Sequence, residues 1–239
     1  MATAGLATVA DMTGVRVLLV DDDPLVLAAL TMMLKGAEGV AVVGQAANGQ
    51  EALRAVTTTP VDVVLMDIRM PAMDGLSATE AIRARPSPPE IIVLTTFDAD
   101  RHVHRALSAG AVGFLLKDTP PDHLVDAIRR AASGDPVLSP SVLRGLIRRS
   151  VGPENGARSR RAEEARGRLA PLAERERQVA LEVGRGLSNA DIARALHLSV
   201  PTVKTHVSAA LARLGLTNRV QLALLVREAE LDQPDPDPG

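Results

Sequence analysis

The sequence predicts an α/β chain, a doubly wound five-stranded parallel sheet followed by a small all-α domain. Three observations predict it. Short apolar runs bounded by turn signals, VRVLLV at 15–20 and VVLM at 63–66 among them, read as strands buried on both faces of a sheet. Helical patterns separate successive runs, which makes the strands parallel and puts their carboxyl ends on one rim. Charge is asymmetric: the net charge of −2 divides into −6 on residues 1–138 and +4 on residues 139–239. Without the acidic tail that starts at Glu228, residues 139–227 carry +9. An acidic first half and a basic second half imply two tasks, the second on nucleic acid.

A chain of 239 residues with 46% hydrophobic and 23% charged residues suits two modest domains. There are no cysteines, which excludes disulfides and thiolate metal sites. No apolar run is long enough to span a bilayer, and the opening MATAGLATVADMTG lacks the basic start of a secretory signal. A cytoplasmic protein without a membrane partner is expected.

Each strand of the first half ends in a polar residue. Val15–Val20 runs into Asp21, Asp22 and Asp23, after which Leu25 to Leu34 reads as a helix with Pro24 tolerated at its start. Val40 to Gly44 is a short strand and Gly49 to Thr57 a helix. The third strand, Val63 to Met66, ends in Asp67 and is followed by the breaker Pro71 and a helix over Ser77–Arg83. Ile91 to Leu94 ends in Thr95 and Thr96, before a helix from Asp100 to Ala109. Gly113 to Leu116 ends in Lys117, before a helix over Asp122–Ala132. Alone, Asp67 could be a loop aspartate capping the next helix. On one rim with an acidic cluster, a hydroxyl and an ammonium, it stands where open α/β sheets place their ligand sites.

That constellation resembles the receiver domain of two-component response regulators, over roughly residues 15–133 and with a flavodoxin-like fold. The resemblance implies that Asp67 is the phosphoacceptor for a sensor histidine kinase, and that Asp21 and Asp22 are the acidic pair. Mg²⁺ would be held by Asp21, Asp22, Asp67 and the backbone carbonyl of Arg69. Thr95 matches the switch hydroxyl, Lys117 the active-site lysine and Phe114 the aromatic that swings inward on phosphorylation. Phe97, the other of only two aromatics in the chain, falls two residues after Thr95 and, with Arg69, is expected to shield the acyl phosphate from water. His102, His104 and His123 lie in helical patterns without a ligand spacing and read as surface residues.

From Gly134 the texture changes. Ser139 is placed to cap a helix running to Arg149, and GPENGARSRRAEEARG then reads as a linker, flexible in its middle. Its arginines 158, 160 and 161 read as solvated, with phosphate contact the alternative. The remainder is helical. Glu174 to Val183 opens without a side-chain cap at Ala173. Ser188 with Asp191 makes a capping box, and Leu187 with Ile192 a hydrophobic staple. Ser199 caps the next helix, where Val203, Val207, Leu211 and Leu214 form the apolar stripe and Lys204, Thr205 and Ser208 the opposite face. Arg219 to Ala229 is the last helix.

Two short helices joined by a tight turn make a helix-turn-helix. GLSNADIARALHLSVPTVKTHVSAALARLGL resembles the LuxR-type DNA-binding domain over roughly 168–230, and the pairing with a receiver is that of the NarL/FixJ family of response regulators. The expected layout is an extension (1–14), receiver (15–133), linker (134–167), LuxR-type domain (168–230) and disordered acidic tail (231–239). The resemblance implies a transcription regulator, not an enzyme. Phosphorylated, it would bind an inverted repeat of double-stranded DNA as a homodimer, with RNA polymerase as a further partner. Thr202, Lys204, Thr205, His206 and Ser208 are the expected DNA contacts, and Leu222, Leu225 and Val226 the expected dimer contacts. A phosphohydrolase with Asp67 as nucleophile is the alternative, but a haloacid dehalogenase-like enzyme needs a carboxylate two residues on, where Arg69 stands. A regulator that ignores phosphate is a third reading.

Overall fold

The computed structural model describes residues 14–95, 105–138 and 155–230. Phe97, His102, His104, the helix expected from Ser139 to Arg149, the side chain of Arg158 and the acidic tail from 231 lie outside the described residues.

The first domain is a parallel sheet wound on both sides. Its strands are β1 (Val15–Val20), β2 (Val40–Ala46), β3 (Val63–Asp67), β4 (Glu90–Thr95), β5 (Gly113–Leu116) and a short β6 (Val137–Leu138). They lie in the order β2-β1-β3-β4-β5-β6, every pair parallel. The sixth strand is an addition to the five expected. It extends the sheet because the preceding helix ends at Ala132 and Gly134, at φ +80°, turns the chain so that Val137 lies beside Gly113. The helices are α1 (Pro24–Leu34), α2 (Gly49–Thr58), α3 (Gly75–Arg83) and α4 (Pro121–Ala132), with residues 105–109 also helical.

Strand periodicity decides which side chain faces which helix. Leu18, Val20, Val64, Met66, Ile91 and Val93 face α2, α3 and the helical residues 106–107. Val17, Leu19, Val63, Leu65, Ile92 and Leu94 alternate with them and face α1 and α4. Val63 through Met66 are 0% exposed, so β3 is covered on both faces. A near-continuous apolar run is what such a strand requires.

The second domain is helical: α5 (Asn155–Leu169), α6 (Glu174–Gly184), α7 (Asn189–Ala195), α8 (Val200–Leu214) and α9 (Arg219–Glu230). The expected linker is thereby corrected, because residues 155–167 belong to a helix. Ala162 and Ala165 of α5 are buried, and Ala165 packs with Leu225 and Ala229 of α9. Leu172, Val179, Val183, Ile192, Val203, Val207, Leu222 and Val226 form this domain's core.

Candidate functional site

The rim of the sheet is assembled by strand register. Val20 pairs with Met66, and Asp67 pairs with Leu94, so Asp21, Asp67 and Thr95 leave three neighbouring strands at one level. Thr95 pairs with Leu116, and its carbonyl accepts the N–H of Lys117 at 2.8 Å. The lysine is thereby aimed back across the rim. Its ammonium lies 2.5 Å from Asp21 Oδ2 and 2.9 Å from Asp67 Oδ1.

Asp67 Oδ2 accepts the N–H of Arg69 at 3.0 Å, and Asp21 Oδ1 accepts the N–H of Asp23 at 3.0 Å. Asp23 itself caps α1 by accepting the N–H of Leu25. One carboxylate oxygen of each of Asp21, Asp22 and Asp67 lies within 4.8 Å of the others. Asp21 and Asp67 are buried, whereas Asp22 is exposed. The buried Asp21 Oδ2 has the Lys117 ammonium as its partner. Burial raises the Asp67 pKa above the ordinary carboxylate value, a shift that Lys117 reduces without cancelling. Lys117 is lowered by its own burial, but its hydrogen bonds to Asp21 and Asp67 outweigh that and hold it above its usual value. The outcome is a cation fixed between two acids that repel each other.

Two residues shape this pocket without a motif to announce them. Gly75 comes so close to β3 that a Cβ there would lie 1.8 Å from the Asp67 carbonyl oxygen, so only glycine fits. Ala72 has φ +65° within a tight turn closed by the Met73 N–H on the Pro71 carbonyl at 2.7 Å. A non-glycine residue in that region stores strain, here on the loop that follows the acceptor.

Phe114 is a residue of β5. It pairs with Val93 on the face that packs against Leu107 and Ala111, and its ring is 1% exposed. The ring lies inside in this structure. The same apolar cluster takes in Val220 and Leu224 of α9 from the other domain.

In the helical domain Ser188 and Ser199 cap α7 and α8 as expected. Val203 and Val207 are buried, with Leu211 and Leu214 packed against the same core, and Lys204, Thr205 and Ser208 are exposed on the opposite face. Thr205 Oγ1 bonds the Pro201 carbonyl, and Thr202 is engaged with Ser199, so both hydroxyls are partly occupied within the helix. His206 is half-buried. The expected dimer contacts are corrected, because these side chains lie inside the domain. Leu222, Leu225 and Val226 are 0%, 4% and 1% exposed because α9 turns them onto α6 and α5.

The two domains touch, which the sequence did not reveal. Lys204 Nζ donates to the Ala132 carbonyl at 3.0 Å. Asn218 Nδ2 donates to the Leu107 carbonyl at 2.6 Å and Gln221 Nε2 to the same oxygen at 3.0 Å. Arg83 Nη2 donates to the Thr217 carbonyl at 2.8 Å. Between the domains lies a cleft of about 330 Å³ lined by Arg83, Glu90, Lys204, Ser208 and Arg219 among others.

A two-sided parallel sheet with an acid–lysine rim, joined to a helix-turn-helix, defines a class: signal receivers coupled to a DNA-binding output. Comparison with known proteins carries this further. Residues 17–129 match the response regulator receiver domain and residues 170–226 the bacterial regulatory proteins of the luxR family. The chain is 35% identical over 207 residues to the uncharacterized transcriptional regulatory protein YxjL of Bacillus subtilis, covering 87% of this chain and 92% of that one. It is 34% identical to the response regulator protein VraR of Staphylococcus aureus, covering 92% of this chain and 99% of that one. The crystal structure of a LuxR-family response regulator from Aurantimonas sp. SI85-9A1 is similar with a TM-score of 0.54 at 32% identity, over 58% of this chain and 99% of that chain. The protein belongs to the response regulators that join a receiver to a LuxR-type DNA-binding domain, and is a DNA-binding transcriptional regulator. No helix among the described residues is long and apolar enough to cross a membrane.

Proposed function

We propose that Asp67 accepts a phosphoryl group from the phosphohistidine of a sensor kinase and that this event controls DNA binding by α8. The observation that carries the reading is the double contact of Lys117 with Asp21 and Asp67. An oxygen of Asp67 attacks phosphorus, the P–N bond of the donor breaks, and the imidazole leaves with the electron pair and takes up a proton. Burial alone would favour a protonated, unreactive Asp67; Lys117 and the Arg69 N–H favour the carboxylate. After transfer Lys117 is placed to pair with the phosphoryl oxygens, and Thr95 to offer them its hydroxyl.

The oxygen-only donor set of Asp21, Asp22 and Asp67, with one oxygen of each within 4.8 Å of the others, fits Mg²⁺. Asp21, Asp22, Asp67 and the Arg69 carbonyl would hold it. Bound there, the ion would neutralise charge on the transferred group. The reading assigns the chain no turnover of a substrate beyond its own phosphorylation.

On the output side, Lys204 is assigned to read a base edge in the major groove, with Thr205 and Ser208 beside it. His206 and Thr202 are assigned to phosphates, which position the helix without reading sequence. Lys204 cannot serve DNA while it serves Ala132, so docking in the groove requires the two domains to part. Two copies on an inverted repeat remain our expectation, through a surface other than Leu222, Leu225 and Val226. The test is incubation with acetyl phosphate and Mg²⁺, followed by intact mass measurement. One added phosphoryl group is expected on the native chain and none on Asp67→Asn; equal labelling of both would remove Asp67 from the role.

A further inference from the structure

Two kinds of charge meet where α9 ends. Glu228 and Glu230 stand in its last turn and Asp232, Asp235 and Asp237 follow, so residues 228–239 carry five acids and no base. Acids at a helix C-terminus face the negative end of its dipole, an unfavourable place unless cations are near. Helix α5 supplies them. Its 15 residues hold five arginines and two glutamates. Arg166 Nε donates to the Ala229 carbonyl at 3.0 Å, one residue before α9 ends.

Arg161 and Arg168 stand four residues before Ala165 and three after it, which on a helix makes them its neighbours. Ala165 is the residue that packs on Leu225 and Ala229 of α9. Both arginines are exposed, as is Arg227 on α9. Arg185, Arg194, Arg213 and Arg219 of this domain each have a carboxylate within 4.0 Å. Among the described residues, Arg161, Arg168 and Arg227 have none. The seam between α5 and α9 is thus bordered by cations that the domain does not neutralise.

We propose that the acidic segment 231–239 docks in cis along the arginine side of α5, pairs with Arg161, Arg168 and Arg227, and clamps α5 onto α9. Charge and reach both fit. Nine residues extend to about 30 Å, whereas the 15 residues of α5 make a rod of about 22 Å. Proline at 234, 236 and 238 alternates with Asp235 and Asp237, a pattern that favours an extended chain and loses little entropy on pairing. Each exposed ion pair is weak, but the tether makes the pairing intramolecular and the charges act together. The same arginines suit DNA phosphates, so the segment competes with any duplex for this face. It thereby limits binding that carries no sequence information.

The test uses the full chain in three forms: native, Asp232→Asn with Asp235→Asn and Asp237→Asn, and Arg161→Gln with Arg168→Gln. Amide hydrogen exchange over residues 155–169 reads the clamp. In about 0.1 M salt both variants should exchange there roughly three- to ten-fold faster than the native chain, the scale of several weak pairs acting together. Combining all five changes should add nothing more, because both sets remove the same contact. In about 1 M salt, where the screening length falls to about 3 Å, the native chain should match the variants. Equal exchange in the native chain and the Asn variant at low salt overturns the docking, and so does a combined loss equal to the sum of the two. A random-sequence duplex reads the competition. The Asn variant should bind it more tightly, with a log–log salt slope steeper by about 0.9 for each arginine released to a phosphate. Faster exchange with unchanged duplex binding supports the docking and overturns the competition. Neither readout involves phosphorylation, so failure here leaves the role of Asp67 standing.

Discussion

Lys204, the one lysine of the basic half, commits its ammonium to the carbonyl of Ala132, 3.0 Å away in the other domain. A side chain on the outer face of a recognition helix has thus found an acceptor at the end of a receiver helix. Freed from it, the same donor suits guanine O6 and N7. Lys204→Ala is expected to weaken specific binding by roughly 1–3 kcal/mol and to relax preference at one base position per half-site. His206→Ala should weaken all sequences alike. Binding series on an operator and its single-base variants at fixed salt separate the two. Equal loss on every variant for Lys204→Ala would place that lysine on the backbone.

The first helix of the output domain's core, α6, lacks half of its cap. The Ala173 N–H donates to Glu176 Oε2 at 2.9 Å, but alanine has no oxygen to accept the return bond. Ala173→Thr completes the box and should stabilise this domain by about 0.5–2 kcal/mol. Calorimetry on the full chain checks it, and a lower melting temperature would mean that the hydroxyl finds no donor.

Much of this was legible in the sequence, for a physical reason. Strand ends carry their chemistry locally: once Asp21, Asp67, Thr95 and Lys117 each terminate an apolar run, parallel winding brings them together. The caps at Ser188 and Ser199 were legible because a cap is a relation among four neighbouring residues. What escaped depends on distant partners. Helix α5 sets the buried Ala165 against Leu225 and Ala229 of α9, a seam too narrow to stand out in an arginine-rich stretch. Leu222, Leu225 and Val226 looked like a surface stripe because their cover, α6 and α5, is supplied by other parts of the chain. Asn189 and Arg219 carry no local signal of their role, because their acidic neighbour Asp135 comes from the other domain.

The sheet interior sets the scale of core damage. Leu65 is 0% exposed at the centre of β3, where strands cover it on both sides and helices on both faces. Leu65→Ala should destabilise the receiver by about 2–5 kcal/mol, through lost transfer energy and the cavity left behind. A loss below about 1 kcal/mol in a denaturant titration would contradict this packing.

Acid sensitivity should trace in part to Asp62. Its carboxylate accepts two hydrogen bonds from the Arg16 side chain, at 2.9 and 2.7 Å, and one from the Arg16 N–H at 2.8 Å. The Arg16 side-chain bonds lower its pKa more than partial burial raises it. A carboxylate lowered on folding contributes stability above its unfolded value of about 3.9, and that contribution is lost as pH falls through the folded value. The pair is more than a third exposed on the arginine side, so solvent keeps the effect small. Arg16→Met should flatten the acid limb by lowering stability slightly at neutral pH while leaving it unchanged below the folded pKa of Asp62; a steeper acid limb would contradict the assignment.

The most direct test of phosphorylation-controlled DNA binding is a map of chromosomal occupancy in cells carrying either the native chain or Asp67→Asn at equal abundance. The account predicts a set of sites sharing an inverted repeat that the native protein fills under the inducing signal and that Asp67→Asn leaves largely empty. The same sites filled to the same extent by both proteins would contradict it.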